Sequence, residues 1–449
     1  MDVFLSERIT KKGLLYPIIG LVVCMTVINI SFGGFGTHDK ESQKRFVRTE
    51  GTQFIINGEP FYVNGWNSYW LLTQSVEERN MIRITAMFES AIAMGLTVCR
   101  TWAFNDGAYN ALQVSPGRFD ERVFKGLDRV IVEAQRHGIK LLLSLSNDWS
   151  DFGGKIQYAK WAKEAGLNPN TNSNDSFFFD PYIRGYFKNY LKTIITRRNH
   201  LTGIEYRDDP TIFAWELMNE PRCESDPSGR TLQHWIEEMA SYVKTIDKKH
   251  LLTVGLEGFY GPSSPHKFKF NPTEDSKNLG SDFIPNSEVA DIDFTSVHIY
   301  PDMWLPANKS LPEKKRFVSN WVISHIKDGE QVLKKPVLFT EFGLSAKRNS
   351  ISYSQRDEFY KHIFDLIYNS ALQKGAGAGS FIWQLFVDGM DEFSDEFGVV
   401  PKKRPSLYWL LKVQSCRLAK VSHVEKWEWF PSLFRSEKDS VWRAAEVYC

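Results

Sequence analysis

Several things are missing from this chain, and each absence narrows what it can be. There is no basic block. Lys and Arg number 55 against 54 Asp and Glu, a net charge of +1 over 449 residues, so nothing points to nucleic acid as a partner. Cysteine is scarce. Beyond Cys24, which sits in an apolar leader, only Cys99, Cys223, Cys416 and Cys449 remain, and four in so large a domain are no disulfide scaffold. Cys99 lies inside a strand pattern and reads as a buried free thiol. No His/Asp cluster has ligand spacing, so neither a metal nor another cofactor is expected. No Gly-rich phosphate loop follows an early strand, which argues against an open, doubly wound nucleotide-binding sheet. Internal repeats and low-complexity tracts are also lacking.

What is present is a large apolar content and many aromatic rings. Hydrophobic residues make up 42% of the chain, enough for a barrel-sized core, and aromatics 14%, with 14 Trp. Such rings fill cores, and they also line grooves in which flat faces stack on sugars.

Arg8, Lys11 and Lys12 precede an apolar run from Leu14 to Phe32, followed by small and polar residues. That order describes a signal peptide over residues 1–36, although the run approaches the roughly 20 residues that span a bilayer, so an uncleaved anchor is the alternative. Either way the remainder is expected to enter the secretory lumen and be exported, with membrane contact only if the leader is retained. The sequons Asn174-Asp175-Ser176 and Asn308-Lys309-Ser310 fall in polar loops open to glycosylation.

From residue 53 a hairpin pattern, with a turn at Asn57-Gly58, leads into alternating strands and helices. Strand candidates are 61–66, 97–102, 139–146, 212–218, 251–256, 294–300, 336–341 and 378–385. Helical patterns lie at 77–94, 120–137, 182–198, 231–246, 313–333 and 354–373. Eight strands alternating with helices predict an α/β chain folded as a single (β/α)8 TIM barrel. The catalytic domain is placed at 46–420 and a C-terminal extension at 421–449. Two segments, Trp149–Asp180 and Gly258–Asp291, read as long structureless loops on the C-terminal face, where such loops carry function.

The polar residues that interrupt the apolar strands sit at their C-terminal ends: Arg100 with Trp102, Asn147, Asn219 with Glu220, His298 with Tyr300, Glu341, and Trp383. In a barrel these converge on one cavity. Glu220 follows the strand Ile212–Met218 and is itself followed by Pro221, which ends the ladder. Glu341 closes the strand Pro336–Thr340. Two such carboxylates in one cleft are what glycoside hydrolysis requires. Arg100 is expected to pair with one of them and keep it ionised, while the other carries a raised pKa and donates a proton. Glu216 is expected to point away from the pocket, because Glu220, although an even number of residues on, lies beyond the regular part of the strand, and no role is assigned to it. Glu257 fits either a supporting or a structural role. His137, His200 and His250 read as surface residues at helix ends.

The segments Cys99-Arg100-Thr101-Trp102, Trp215-Glu216-Leu217-Met218-Asn219-Glu220-Pro221, Val297-His298-Ile299-Tyr300, Phe339-Thr340-Glu341-Phe342-Gly343 and Phe381-Ile382-Trp383-Gln384 resemble glycoside hydrolase family 5. Together with Gly153-Gly154-Lys155-Ile156-Gln157-Tyr158 they look most like its plant endo-β-1,4-mannanases, over roughly residues 46–420. The resemblance implies that Glu220 is the acid/base and Glu341 the nucleophile of a retaining double displacement. It further implies that Asn219 binds the 2-hydroxyl of the sugar, that Tyr300 and Arg100 hold the nucleophile, and that His298 neighbours the acid/base. Trp383 would form the floor beneath the reacting sugar and Trp102 a further contact. The implied substrates are the β-mannans of the cell wall, including glucomannan and galactomannan. The chain departs from the group's pattern where Asn147-Asp148 replaces two asparagines, and at Met390, where an aromatic residue is expected nearby.

Mannan transglycosylation shares the first half-reaction and is the nearest alternative. A β-1,4-glucanase on the same barrel, or a non-catalytic wall-glycan binder using the aromatic cleft, is less consistent with these motifs.

Overall fold

Eight short parallel strands form the centre of the computed structural model, which describes residues 45–422 apart from 108, 168–172, 346 and 348–350. The strands are β1 (Val63–Asn67), β2 (Val98–Trp102), β3 (Lys140–Ser144), β4 (Ile212–Glu216), β5 (Leu251–Thr253), β6 (Thr295–Ile299), β7 (Val337–Phe342) and β8 (Gly377–Ile382). They pair in the spatial order β5-β4-β3-β2-β1-β8-β7-β6, the consecutive order of a barrel. The β5–β6 seam closes without a regular ladder. Asp293 N donates to Leu252 O at 2.8 Å and His298 N to Glu257 O at 3.0 Å, while the Asp293 carboxylate accepts from Leu252 N at 2.7 Å.

Outside this ring lie α1 (Met81–Ala93), α2 (Glu121–Arg136), α3 (Pro181–Ile195), α4 (Arg230–Ile246), α5 (Leu311–Asp328), α6 (Tyr353–Leu372) and α7 (Pro405–Val421). Their starts are written in the sequence. Asp180 accepts from the N–H groups of Tyr182 and Ile183, with Pro181 in the first turn of α3. Ser310 with Glu313, and Ser352 with Gln355, form capping boxes for α5 and α6.

An antiparallel ribbon (Arg48–Glu50, Gln53–Ile56, Glu59–Pro60) turns at Asn57-Gly58, both residues having positive φ. Phe54 from this ribbon packs with Val63, Val98, Phe213, Leu251, Phe294 and Leu338 in one buried cluster. Its ring meets those of Phe213 and Phe294 edge-on, each at 5.3 Å. These residues sit near the N-terminal ends of the strands and fill the barrel interior there.

All eight expected strands and six expected helices are present, with ends moved by a few residues. Three expectations fail. The 149–180 segment is not structureless, because it contains helices Gly154–Glu164 and Ser176–Phe179. Its start at Gly153-Gly154 hid the first, and its buried Tyr158, Trp161 and Ala162 give it an inner face. Residues 258–291 likewise contain Phe283–Glu288 and two 3-10 turns. His250 is not a surface residue: it is buried, with Nδ1 2.6 Å from Asp247 and Nε2 2.9 Å from the Asp209 carbonyl. The leader 1–36 and residues 423–449 of the extension lie outside the described residues.

Candidate active site

Arg100, at the middle of β2, is fully buried. Its Nε and Nη2 donate to the two oxygens of Glu216 at 2.9 and 2.6 Å. Nη1 reaches Glu341 Oε1 at 2.5 Å and Asn67 Oδ1 at 3.0 Å, and Nη2 also donates to Asn219 Oδ1 at 2.7 Å. One guanidinium therefore ties together β1, β2, β4 and β7. Opposing burial, the two carboxylates hold its pKa above the ordinary arginine value.

This overturns the reading of Glu216. Its side chain points inward at the guanidinium and is completely buried. Period-two alternation does place Glu216 and Glu220 in one phase, but β4 ends at Glu216 and the chain then leaves the ladder. Asn67 was also missed: it accepts from Arg100 and donates to the Thr340 carbonyl at 2.9 Å. Asn64 and Asn67 are both buried in β1, and nothing in the sequence sets Asn67 apart.

Glu220 has φ of +51°, a left-handed conformation that a non-glycine residue adopts only when its surroundings impose it. Its N–H donates to Gly255 O at 2.8 Å. Gly255 must be glycine, because a Cβ there would lie 2.0 Å from Met218 O. On the other side of the cavity the β6–β7 pairing slips between Val297 and His298, so that His298 faces Glu341 in register. Such irregularities re-aim side chains, and here both polar residues enter the cavity.

Glu220 Oε1 lies 2.6 Å from His298 Nδ1, and its Oε2 accepts from Trp149 Nε1 at 2.6 Å. Glu341 Oε2 accepts from the Tyr300 hydroxyl at 2.6 Å and lies 3.6 Å from His298 Nδ1. Ligand atoms of Glu220, His298 and Glu341 all lie within 4.8 Å of one another. A divalent cation there would have to displace the donors Arg100, Tyr300, Trp149 and His298 from those oxygens, and it would sit beside a permanent guanidinium charge. The trio is a proton and nucleophile site in character, not a ligand set.

The charges are arranged differently from the expectation that the acid carries the raised pKa. Burial alone would raise Glu220, but His298, Arg222 and the Trp149 donor together lower it. Burial would lower His298, yet Glu341 and Glu220 raise it. For Glu341, burial outweighs Arg100 and Tyr300 and the direction is upward. The physical reason is that the three groups share protons. Glu220 Oε1 and His298 Nδ1, 2.6 Å apart, share one hydrogen bond, so the two groups titrate as a pair.

Trp383 is half-buried, stacked on Tyr69 with ring centroids 5.9 Å apart, and its Nε1 donates to Asp395 at 2.8 Å. Asp395 also accepts from Gln384 and from the N–H groups of Phe397 and Gly398, so it anchors the indole. Trp102 is 4% exposed and lies under the Arg100 guanidinium at 4.9 Å, which makes it chiefly a support for that group. Arg100, Asn219, Glu220, His298, Tyr300 and Glu341 are thus brought to one cavity, with Trp383 joined to it through Trp102. Met390 is buried and packs in the main core.

A parallel barrel whose mouth presents two carboxylates this close has the architecture of a glycoside hydrolase of the (β/α)8 class. A family profile described as GH family 5 beta-mannosidase-like matches residues 44–390, and the chain belongs to that family. The chain is 57% identical to mannan endo-1,4-beta-mannosidase 2 of Arabidopsis thaliana over 415 residues, covering 92% of this chain and 95% of the relative. Another relative of that name from Oryza sativa is 54% identical, with 92% and 96% covered. The endo-beta-1,4-mannanase structure from Thermotoga petrophila superposes with a TM-score of 0.71 at 31% identity, covering 82% of this chain and 79% of that one.

Proposed function

We propose that the protein is an endo-acting β-1,4-mannanase that cleaves internal bonds of mannan, glucomannan and galactomannan by a retaining double displacement. The observation that carries this is the placement of the Glu220 and Glu341 carboxylates at the ends of β4 and β7, with atoms within 4.8 Å of each other. A retaining enzyme needs its carboxyl groups about 5–5.5 Å apart, whereas inversion needs roughly 6.5–9.5 Å for an intervening water. The names of the relatives supply the sugar.

Glu341 attacks the anomeric carbon as Glu220 protonates the departing oxygen. That proton reaches Glu220 along its hydrogen bond from His298. Arg100 and Tyr300 hold the attacking carboxylate at one oxygen each, which fixes its direction and favours its ionised form. Once Glu341 is esterified it loses its charge, and the largest influence raising His298 disappears. Glu220 then takes a proton from water, which attacks the same carbon and releases Glu341, and that proton passes back to His298 as Glu341 regains its charge. A sugar hydroxyl in place of that water gives transglycosylation at no change in the first half.

Export to the cell wall belongs to the same proposal. The motivations are the basic-then-apolar leader and the two sequon asparagines, Asn174 and Asn308, both exposed. Finding the barrel in the cytosol with an intact leader and no glycan would overturn it.

The functional test is product analysis on mannan, glucomannan and cellulose, paired with Glu220→Ala. Internal cuts confined to the mannans are expected. The variant is expected to keep a fast first step on an activated aryl β-mannoside, with turnover restored by azide. Equal loss on both substrate types, without azide rescue, would mean the two roles are misassigned.

A further inference from the structure

Asp148 stands where the resemblance implies the second of two asparagines, and it adds a carboxylate to the site region. It is buried, and its Oδ1 lies 2.7 Å from Lys155 Nζ. Lys155, also buried, makes a second ion pair with Asp175 at 2.9 Å. Three buried charges in a row are costly unless they fix something.

What they fix is the residue two beyond Glu220. The N–H of Arg222 donates to Asp148 Oδ1 at 3.1 Å, and its carbonyl accepts from Lys155 Nζ at 3.0 Å. Both backbone polar groups of one peptide segment are thus clamped by the same ion pair. The pair itself is seated by Gly154, where φ is +54° and a Cβ would lie 2.3 Å from Asn147 O, and by Lys155 N donating to that oxygen at 2.9 Å. The Arg222 side chain then runs across the Trp149 ring at 4.9 Å and ends in a two-point contact with Glu257 at 2.8 and 2.7 Å. Trp149 is the residue whose indole donates to Glu220. A continuous chain of contacts therefore runs from Asp148 through Arg222 and Trp149 to the reacting carboxyl.

We propose that Asp148 and Lys155 are positioning residues for the acid/base, seating Arg222 and Trp149 against Glu220, and that the negative charge of Asp148 sets how readily Glu220 holds its proton. This rests on the reading of Glu220 as the acid/base.

The charged groups facing Asp148 are Lys155 and Arg222. Asp175 lies beyond Lys155, and Glu257 and Glu220 lie beyond Arg222. Removing the Asp148 charge leaves the two cations less compensated, which favours ionised Glu220 and weakens it as an acid. Burial raises Asp148 to about 6, against Lys155 and Arg222. The native protein therefore sheds this charge on its own as pH falls, and it then comes to resemble a variant that never had it.

The test is the pH profile of kcat/KM for Asp148→Asn on a mannooligosaccharide and on an activated aryl β-mannoside. On the oligosaccharide, the alkaline limb should move to lower pH by about half a unit to one unit, the effect of one charge at next-neighbour distance. The two profiles should converge below about pH 6, the region in which Asp148 itself protonates. On the aryl substrate, whose leaving group needs no acid, the limb should stay in place. A limb that does not move, or moves equally on both substrates, overturns the proposal. If Asp148→Asn does not fold, half-exposed Trp149→Phe carries the test. Loss of its donor should move the oligosaccharide limb to higher pH, and an unmoved limb overturns the proposal in the same way. Azide rescue of Glu220→Ala separates the two levels: without it the functional reading fails, whereas rescue with an unmoved limb sinks only this inference.

Discussion

Glu216→Gln should damage stability and pH dependence together, because Glu216 shares Arg100 with the nucleophile. Both oxygens of Glu216 accept from the guanidinium, at 2.9 and 2.6 Å, and both side chains are 0% exposed. A glutamine of nearly the same shape presents one amide N–H₂ toward a guanidinium N–H, so one contact becomes a meeting of two donors. Breaking a buried pair while leaving its partner charged costs about 3–5 kcal/mol. In a domain of this size that corresponds to a fall in Tm of roughly 4–6 °C. The charge effect has a definite sign. Arg100 carries one positive charge between two carboxylates, and removing one leaves the guanidinium wholly available to Glu341. The pKa of Glu341, raised in the native site, should fall. The acid limb of kcat/KM, which reports ionisation of the nucleophile, should move to lower pH by roughly one unit. Thermal unfolding and the pH profile on an aryl β-mannoside measure both. An unchanged Tm, or an acid limb that stays put or rises, would refute the role given to this carboxylate.

Tyr300→Phe removes the hydroxyl that donates to Glu341 at 2.6 Å. A fall of about 10–100-fold in kcat/KM is expected from losing one charge-assisted hydrogen bond, with the acid limb moving to higher pH; a loss under twofold would contradict this. Gly255→Ala places a Cβ 2.0 Å from Met218 O where φ is +102°, and should cost several kcal/mol and displace Glu220. Retention of native activity and stability would show that the Gly255–Glu220 contact is not what holds the left-handed turn. For Asp247, burial acts upward, but His250, Trp215 and Lys249 lower its pKa to about 2. A depressed carboxyl contributes stability that is fully present above its unfolded value and is lost as pH falls through the folded one. The native protein should therefore lose stability between about pH 4 and pH 2 more steeply than Asp247→Asn, as read from urea midpoints.

The barrel was legible because buried strands announce themselves as apolar runs, and because polar residues that end such runs have only the mouth to go to. Arg100, Glu220, His298, Tyr300 and Glu341 were found on that signal. Glu216 was not, because its direction depends on where β4 ends relative to the departing chain, a fact of local geometry rather than of alternation. Asn67 and Asp395 were invisible for another reason: each is a single polar residue whose partners come from distant segments, Arg100 with Thr340 in one case and Trp383 with Gln384 in the other. The protonation pattern of the site could not be read from residue types at all. Each carboxyl is placed by the balance of burial against His298 and an arginine, and that balance exists only once the strands are assembled. The helix at Gly154–Glu164 was hidden by its two glycines, which are required by the close approach to Asn147 and Asp106 rather than by flexibility.

The most direct test of the whole account is the anomeric configuration of the first product, followed by proton NMR during hydrolysis of a mannooligosaccharide. The proposed mechanism, drawn from two carboxylates with atoms within 4.8 Å and from Glu341 held by Arg100 and Tyr300, passes through a covalent intermediate on Glu341. The β-anomer should then appear first and mutarotate to α, and a slow fluorinated mannoside should label the peptide carrying Glu341. Initial release of the α-anomer, or labelling at Glu220 instead, would contradict the assignment on which everything above depends.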